Sequence, residues 1–184
     1  WDAEHPDLYE CRAILKEKDA ILDEQSVSFG IRKLAWNKDG FFVNGKSTLL
    51  RGGCIHHDNG ILGAVTCRES EYRRISRLKA IGFNAIRSSH NPISKNLLEA
   101  CDTLGMYVMD EGWDMWYKSK TAYDYALRFE GHFMEDIIAM VDKDYNHPCV
   151  IMYSIGNEVT EPMEEKGLQT GQKLIEAFHG KDPT

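Results

Sequence analysis

The chain has 184 residues, of which 42% are hydrophobic and 28% charged, a balance that supports a packed core and excludes a disordered, charge-dominated chain. Its 22 basic residues are outnumbered by 29 acidic ones and lie mixed among them, for a net charge of -7, which argues against a nucleic-acid partner. No apolar run approaches a membrane span, so no membrane partner is expected, and the compartment is not readable from a chain that opens on Trp1.

In chain order, LYECRAIL (8–15) and SVSFGIRKLAW (26–36) are rich in strand formers and are separated by the charged segment KEKDAILDEQ, which reads as a turn. Two or three strands bury too little apolar surface to stand alone, so residues 1–36 are expected to be the closing strands of a β-sandwich. From the turn Asn37 to Gly40 onward, strand and helix patterns alternate, which predicts an α/β architecture with a parallel sheet over residues 37–184. The predicted pairs are strand 47–55 with helix 70–81, strand 84–87 with helix 94–104, strand 106–109 with helix 129–144, and strand 149–155 with helix 164–179. Ile75, Leu78 and Ile81 mark the buried stripe of the first helix, and Gly105 closes the second. The five cysteines, at 11, 54, 67, 101 and 149, are odd in number and lack CxxC spacing. That pattern argues against a disulfide framework or structural zinc, and most are expected to be buried thiols, Cys101 and Cys149 foremost.

The segment DYNHPCVIMYSIGNE (144–158) is the most informative. A polar corner launches a run, Cys149 to Ile155, that is apolar on both faces, as a parallel strand walled in by helices requires. The run stops at Gly156, Asn157 and Glu158, which delivers a carboxylate to the C-terminal end of a strand, where barrels of parallel strands carry their chemistry. A helix N-cap or a solvated loop glutamate is the plainer alternative. His56, His57 and Asp58 follow the first strand and His90 the second, so three imidazoles can reach the same rim; packed or loop-bridging histidines are the competing reading. Arg87, inside a strand, is costly to bury unpaired and is expected to hold a carboxylate in register, Glu158 itself or a second catalytic carboxylate that this sequence does not show. Asp110 and Glu111 close the third strand, where one of them is expected to pair with Arg87 or orient a histidine.

Three segments in order resemble glycoside hydrolase family 2, the group of β-galactosidases, β-glucuronidases and β-mannosidases. They are FFVNGKSTLLRGGCIHHD (41–58), NAIRSSHNPISKNLLEACDTLGMYVMDE (84–111) and NHPCVIMYSIGNE (146–158). The resemblance implies the first half of a (β/α)8 TIM barrel preceded by the last strands of an immunoglobulin-like β-sandwich. It also implies that the chain is an excerpt of a longer enzyme. Glu158 then matches the acid/base, Asn157 the amide that holds the sugar 2-hydroxyl, and His56 and His90 the substrate-binding histidines, with His57 and Asp58 bracing their loop. The second carboxylate of such a site would lie beyond Thr184, so the excerpt alone is expected not to turn over glycosides. Trp113 and Trp116, with Tyr117, are candidates for stacking on a sugar ring, against packing under the rim.

Clustered Asp and His raise a divalent metal, yet the GWDMW loop lacks the carboxylate and histidine pair that holds magnesium in bacterial β-galactosidases. No metal and no cofactor is therefore expected. Asn91 stands where many members carry Tyr, and Tyr153 where Trp is usual, while CIHHD and DMW lean toward β-galactosidase-like members. The expected function is a retaining exo-β-glycosidase, β-galactosidase-like, with a carbohydrate substrate; whether the parent is a homo-oligomer stays open. The alternatives are a metal-dependent hydrolase drawing on His56, His57, Asp58 and His90, and a carbohydrate-binding protein without catalysis.

Overall fold

The computed structural model describes residues 1–183. Strands β1 (Tyr9–Glu17) and β2 (Ala20–Phe29) form an antiparallel ribbon whose residues are nearly all exposed. The segment KEKDAILDEQ is thus mostly strand, with only Lys18 and Asp19 left to turn the chain. Both faces of the ribbon meet solvent, so charged side chains need no burial there, and Arg12 grips Glu24 across the two strands. Three short strands follow, β3 (Leu34–Asn37), β4 (Gly40–Val43) and β5 (Lys46–Ser47), in one antiparallel sheet. Asn44 and Gly45 turn β4 into β5 with φ of 51° and 79°, the left-handed pair that a two-residue hairpin demands. That hairpin takes up Lys46 and Ser47, and the first strand of the parallel sheet consequently starts later than expected.

The parallel sheet runs β6 (Gly52–His56), β7 (Ala85–Ser89), β8 (Tyr107–Glu111) and β9 (Val150–Ser154), adjacent in that order. Helices α1 (Arg68–Ala80), α2 (Lys95–Leu104), α3 (Ala126–Asp144) and α4 (Glu165–Lys181) follow the strands one by one. Four consecutive β/α units in sequential order are half of a (β/α)8 barrel. Helix α2 shows how local signals set its ends: the Ser94 hydroxyl accepts the Leu97 N–H, and Gly105 leaves the helix at φ 73°. A Cβ at Gly105 would lie 2.4 Å from the Ala3 carbonyl oxygen, so this close approach admits only glycine.

Two apolar clusters hold the helices down. One joins Ile75, Ile86, Leu97, Leu98, Met106 and Val108, with Trp1 from the N-terminus donating its indole N–H to the Asp102 carbonyl at 2.9 Å. The other joins Trp113, Trp116, Phe129, Ile137, Leu174 and Phe178 between α3, α4 and the loop after β8. In α1 the expected stripe is shorter than its pattern: Ile75 is buried and Leu78 packs on the core, but Ile81 is 72% exposed because the helix ends at Ala80. The cysteines divide differently from expectation, since only Cys101 and Cys149 are buried. Burial pushes both of those thiols up. Cys67 is half-buried, while Cys11 sits on the open ribbon and Cys54 on the outermost strand of the sheet.

Candidate active site

Alternation along a strand decides which residues reach the pocket. On β7 and β8, Arg87 and Glu111 face one side, whereas Ser88 and Asp110 face the other. Glu111 is 1% exposed and receives Arg87 through both its oxygens, Nε to Oε2 at 3.0 Å and NH2 to Oε1 at 3.1 Å. The Ser154 hydroxyl, paired in register on β9, donates to Oε2 at 2.7 Å. His90 Nδ1 lies 2.7 Å from Oε1. With Nδ1 engaged by the carboxylate and also 3.2 Å from Arg87 Nη2, Nε2 is the ring nitrogen left for a ligand. Hydrogen bonding to Glu111 raises the Arg87 guanidinium, against the opposing effect of burial. The carboxylate that Arg87 holds is therefore Glu111, not Glu158.

Asp110 is buried on the helix side. It accepts the Ser88 hydroxyl at 2.7 Å and the Ile93 N–H at 2.8 Å, which fixes the loop carrying His90, and it lies 3.3 Å from Lys143 Nζ. His56, at the end of β6, is exposed, and its ring meets that of His90 edge-on with centroids 5.2 Å apart. His57 is half-buried, its Nδ1 without a partner among the described residues, while the Asp58 carboxylate accepts the Gly60 N–H at 2.9 Å and ties down the turn. Arg74 of α1 holds the carbonyls of His56 and Asp58 from below. The structure thus brings His56, His90, Arg87 and Glu111 together and gives Asp58 a bracing contact.

Beyond β9 the chain turns sharply under Trp116, whose indole N–H donates to the Ile155 carbonyl at 2.6 Å. A Cβ on Gly156 would lie 2.8 Å from that indole nitrogen, so the turn requires glycine. Asn157 is gripped at both ends of its amide: Arg87 NH2 donates to Oδ1 at 2.7 Å, and Nδ2 donates to Asp114 Oδ1 at 2.9 Å. Its own N–H reaches the Trp113 carbonyl at 3.0 Å. Glu158 follows with φ 46°, a left-handed backbone that costs a glutamate about 1–3 kcal/mol and clusters at functional sites. Its side chain is exposed and makes no hydrogen bond or ion pair among the described residues.

Trp116 is 1% exposed and stacked on Phe129, so the sugar stacking expected of it does not match its placement, whereas Trp113, 4% exposed and edge-on to Phe129, lines a cavity together with His90 and Asp114. Two residues of the same loop that sequence reasoning passed over do reach the site. Asp114 holds the Asn157 amide, and Lys120 Nζ lies 2.9 Å from Asp114 Oδ1 and 2.6 Å from the Asn157 carbonyl. Burial pushes the Asp114 carboxyl up, but the hydrogen bonds from Lys120 and Asn157 outweigh it and hold the group below its ordinary range. Asp114 stood in view inside GWDMW, hidden by the aromatic residues around it. His90 and Asp114 also line a cavity of about 620 Å³ walled by Trp113, Tyr125, Asp136, Met140 and Lys143 on the α3 side, which Glu158, Asn157 and His56 do not line. Among the described residues no cluster of three or more His, Cys, Asp or Glu is placed to hold a metal. Histidine, amide and carboxylate groups at the rim suit a polyhydroxylated ligand, and an exposed glutamate beside them suits proton transfer.

Residues 34–184 match the family model described as glycosyl hydrolases family 2, TIM barrel domain, and residues 1–32 match a second model of glycosyl hydrolases family 2. The chain is 40% identical over 171 residues to Beta-galactosidase BoGH2A of Bacteroides ovatus, covering 92% of this chain and 20% of that protein. It is 32% identical over 176 residues to a putative beta-glucuronidase of Formosa agariphila, covering 95% of this chain and 17% of that protein. The solved structure of a glycosyl hydrolase family 2 member from Bacteroides cellulosilyticus superposes with a TM-score of 0.94 at 46% identity, over 99% of this chain and 24% of that one. The chain spans about a fifth of the length of the curated relatives it matches.

Proposed function

The chain belongs to the glycosyl hydrolases of family 2, and from that premise we propose that it carries the acid/base half of a retaining exo-β-glycosidase, β-galactosidase-like in its sugar. The observation that carries the proposal is Glu158, exposed and without a partner among the described residues, in a left-handed turn at the end of β9 directly after an asparagine locked between Arg87 and Asp114. Glycoside cleavage with retention uses two carboxyl groups, one to protonate the departing oxygen and one to attack the anomeric carbon. Glu158 supplies the first. It gives its proton to the leaving oxygen, and once the leaving group has gone it takes a proton from water attacking the glycosyl-enzyme.

The other rim carboxylates are engaged elsewhere: Glu111 with Arg87, Ser154 and His90, Asp114 with Lys120, and Asp58 with its own turn. By its likeness to the family, the attacking carboxylate is assigned to sequence outside this chain, and residues 1–184 alone should not turn over glycosides. Asn157 keeps one amide N–H for the sugar 2-hydroxyl, while His90 Nε2 and His56 receive hydroxyls on the neighbouring strand ends. Residues 1–36 are assigned to the closing strands of an immunoglobulin-like sandwich and residues 37–184 to the barrel. The lean toward galactose rests on the CIHHD and DMW segments and on the Bacteroides ovatus relative.

The test is a panel of aryl β-glycosides given to the full-length protein, with the anomer of the product read by NMR. Turnover of the galactoside with retention supports the reading. Preferential turnover of the glucuronide would reassign the sugar, inversion would overturn the mechanism, and binding without turnover would overturn catalysis.

A further inference from the structure

The loop between β8 and α3 holds the turn after β9 at four points, and two of them are polar side chains for which the fold itself gives no need. Trp116 and the Trp113 carbonyl hold the backbone of Ile155 and Asn157. Asp114 and Lys120 form a pair at 2.9 Å, the cation 30% and the carboxylate 39% exposed, so neither is buried to fill the core. Each makes one further contact, and the two contacts differ. Asp114 touches the Asn157 side-chain amide; Lys120 touches the Asn157 carbonyl oxygen at 2.6 Å.

That carbonyl belongs to the peptide plane joining Asn157 to Glu158. The plane can swing only by rotation about ψ of Asn157 and φ of Glu158, and Glu158 sits at φ 46°, a conformation that a side-chain-bearing residue rarely adopts. A cation on the oxygen of that plane opposes its swing back to the ordinary region. Resting on the assignment of Glu158 as acid/base, we infer that Lys120 and Asp114 are two positioning residues with separate tasks. Lys120 sets the direction of the Glu158 carboxyl through the peptide plane, and Asp114 sets the Asn157 amide that meets the sugar 2-hydroxyl.

The separation gives each a distinct kinetic signature. Proton donation matters for a poor leaving group and hardly at all for a strongly activated one, so misdirecting Glu158 penalises substrates unequally. Misplacing Asn157 weakens a contact with the sugar and penalises every leaving group alike. The experiment measures kcat/KM in the full-length protein for phenyl and 2,4-dinitrophenyl glycosides of the accepted sugar, and for the 2-deoxy phenyl glycoside, with Lys120→Met, Asp114→Asn and Glu158→Gln. Lys120→Met should lose on the order of ten-fold or more in the phenyl to dinitrophenyl ratio. Asp114→Asn should leave that ratio unchanged, lower both rates together, and lose its effect on the 2-deoxy substrate. The ratio is internal to one preparation, so incomplete folding does not move it. A steep ratio in Glu158→Gln with a flat one in Lys120→Met overturns the inference and leaves the acid/base assignment standing. A flat ratio in Glu158→Gln overturns that assignment, and the inference with it. An Asp114→Asn loss as large on the 2-deoxy substrate as on the parent sugar overturns the role given to Asp114.

Discussion

Replacing Arg87 by leucine tests the electrostatic core of the site. Glu111 is 1% exposed, and Arg87 supplies its guanidinium partner through hydrogen bonds of 3.0 and 3.1 Å. Breaking a buried pair from one side typically costs about 3–5 kcal/mol, because the remaining charge stays buried and uncompensated. Ser154 and His90 still donate to Glu111 at 2.7 Å each, and the Arg87 side chain is 30% exposed, so the low end applies, about 3 kcal/mol. Removing the carboxylate as well takes away the orphan, and Arg87→Leu with Glu111→Leu should cost about 2 kcal/mol less than the sum of the two single changes. The assay is urea unfolding of the full-length protein followed by tryptophan fluorescence, which Trp113 and Trp116 in the adjoining core report. A single-mutant cost below about 1 kcal/mol, or an additive cycle, would refute the claim that the pair is a coupled buried unit.

Burial, then the neighbouring Asp110, push the Asp144 carboxyl up to about 8 against the pull of Lys143. A folded-state pKa above the unfolded value means stability is greatest below about pH 4 and declines as pH rises through about 8. Asp144→Asn removes that decline, so its thermal midpoint should gain on the parent between pH 5 and pH 9; a constant difference across that range would contradict the raised Asp144 carboxyl. Trp116→Ala should cost about 3–5 kcal/mol as a core truncation. Beyond folding, it should depress activity on all accepted sugars by one factor, since the ring packs on Phe129. A change of KM confined to one sugar would place that ring in the site after all.

Legibility followed the range over which each signal acts. Strand β9 was readable because its residues form a continuous apolar run, although only Val150 of them is buried and the rest are half-buried, and α2 because Ser94 and Gly105 announce its two ends. The Asn44-Gly45 hairpin carried an equally strong local signal, but its neighbours read as the start of a longer strand, and the boundary moved by several residues. In KEKDAILDEQ charge density suggested a turn, although an exposed ribbon accepts charge on either face. The partner of Arg87 could not be chosen from sequence among three carboxylates, because register across β7 and β8 and the two-residue alternation decide it. Trp113 and Trp116 show the same limit, since an aromatic side chain is equally suited to a core and to a sugar face. Asp114 and Lys120 gave no periodic or spacing signal at all; their contacts are made across the fold, on residues 43 and 37 positions further along the chain.

The most direct measurement of the central claim is the leaving-group dependence of kcat/KM for Glu158→Gln in the full-length protein, across aryl β-glycosides from 2,4-dinitrophenyl to phenyl. An acid/base role predicts near-parental rates on the most activated substrate and losses on the order of 10²-fold or more on the least activated one. Equal loss across the series, or none, would contradict the assignment of Glu158 as the proton donor.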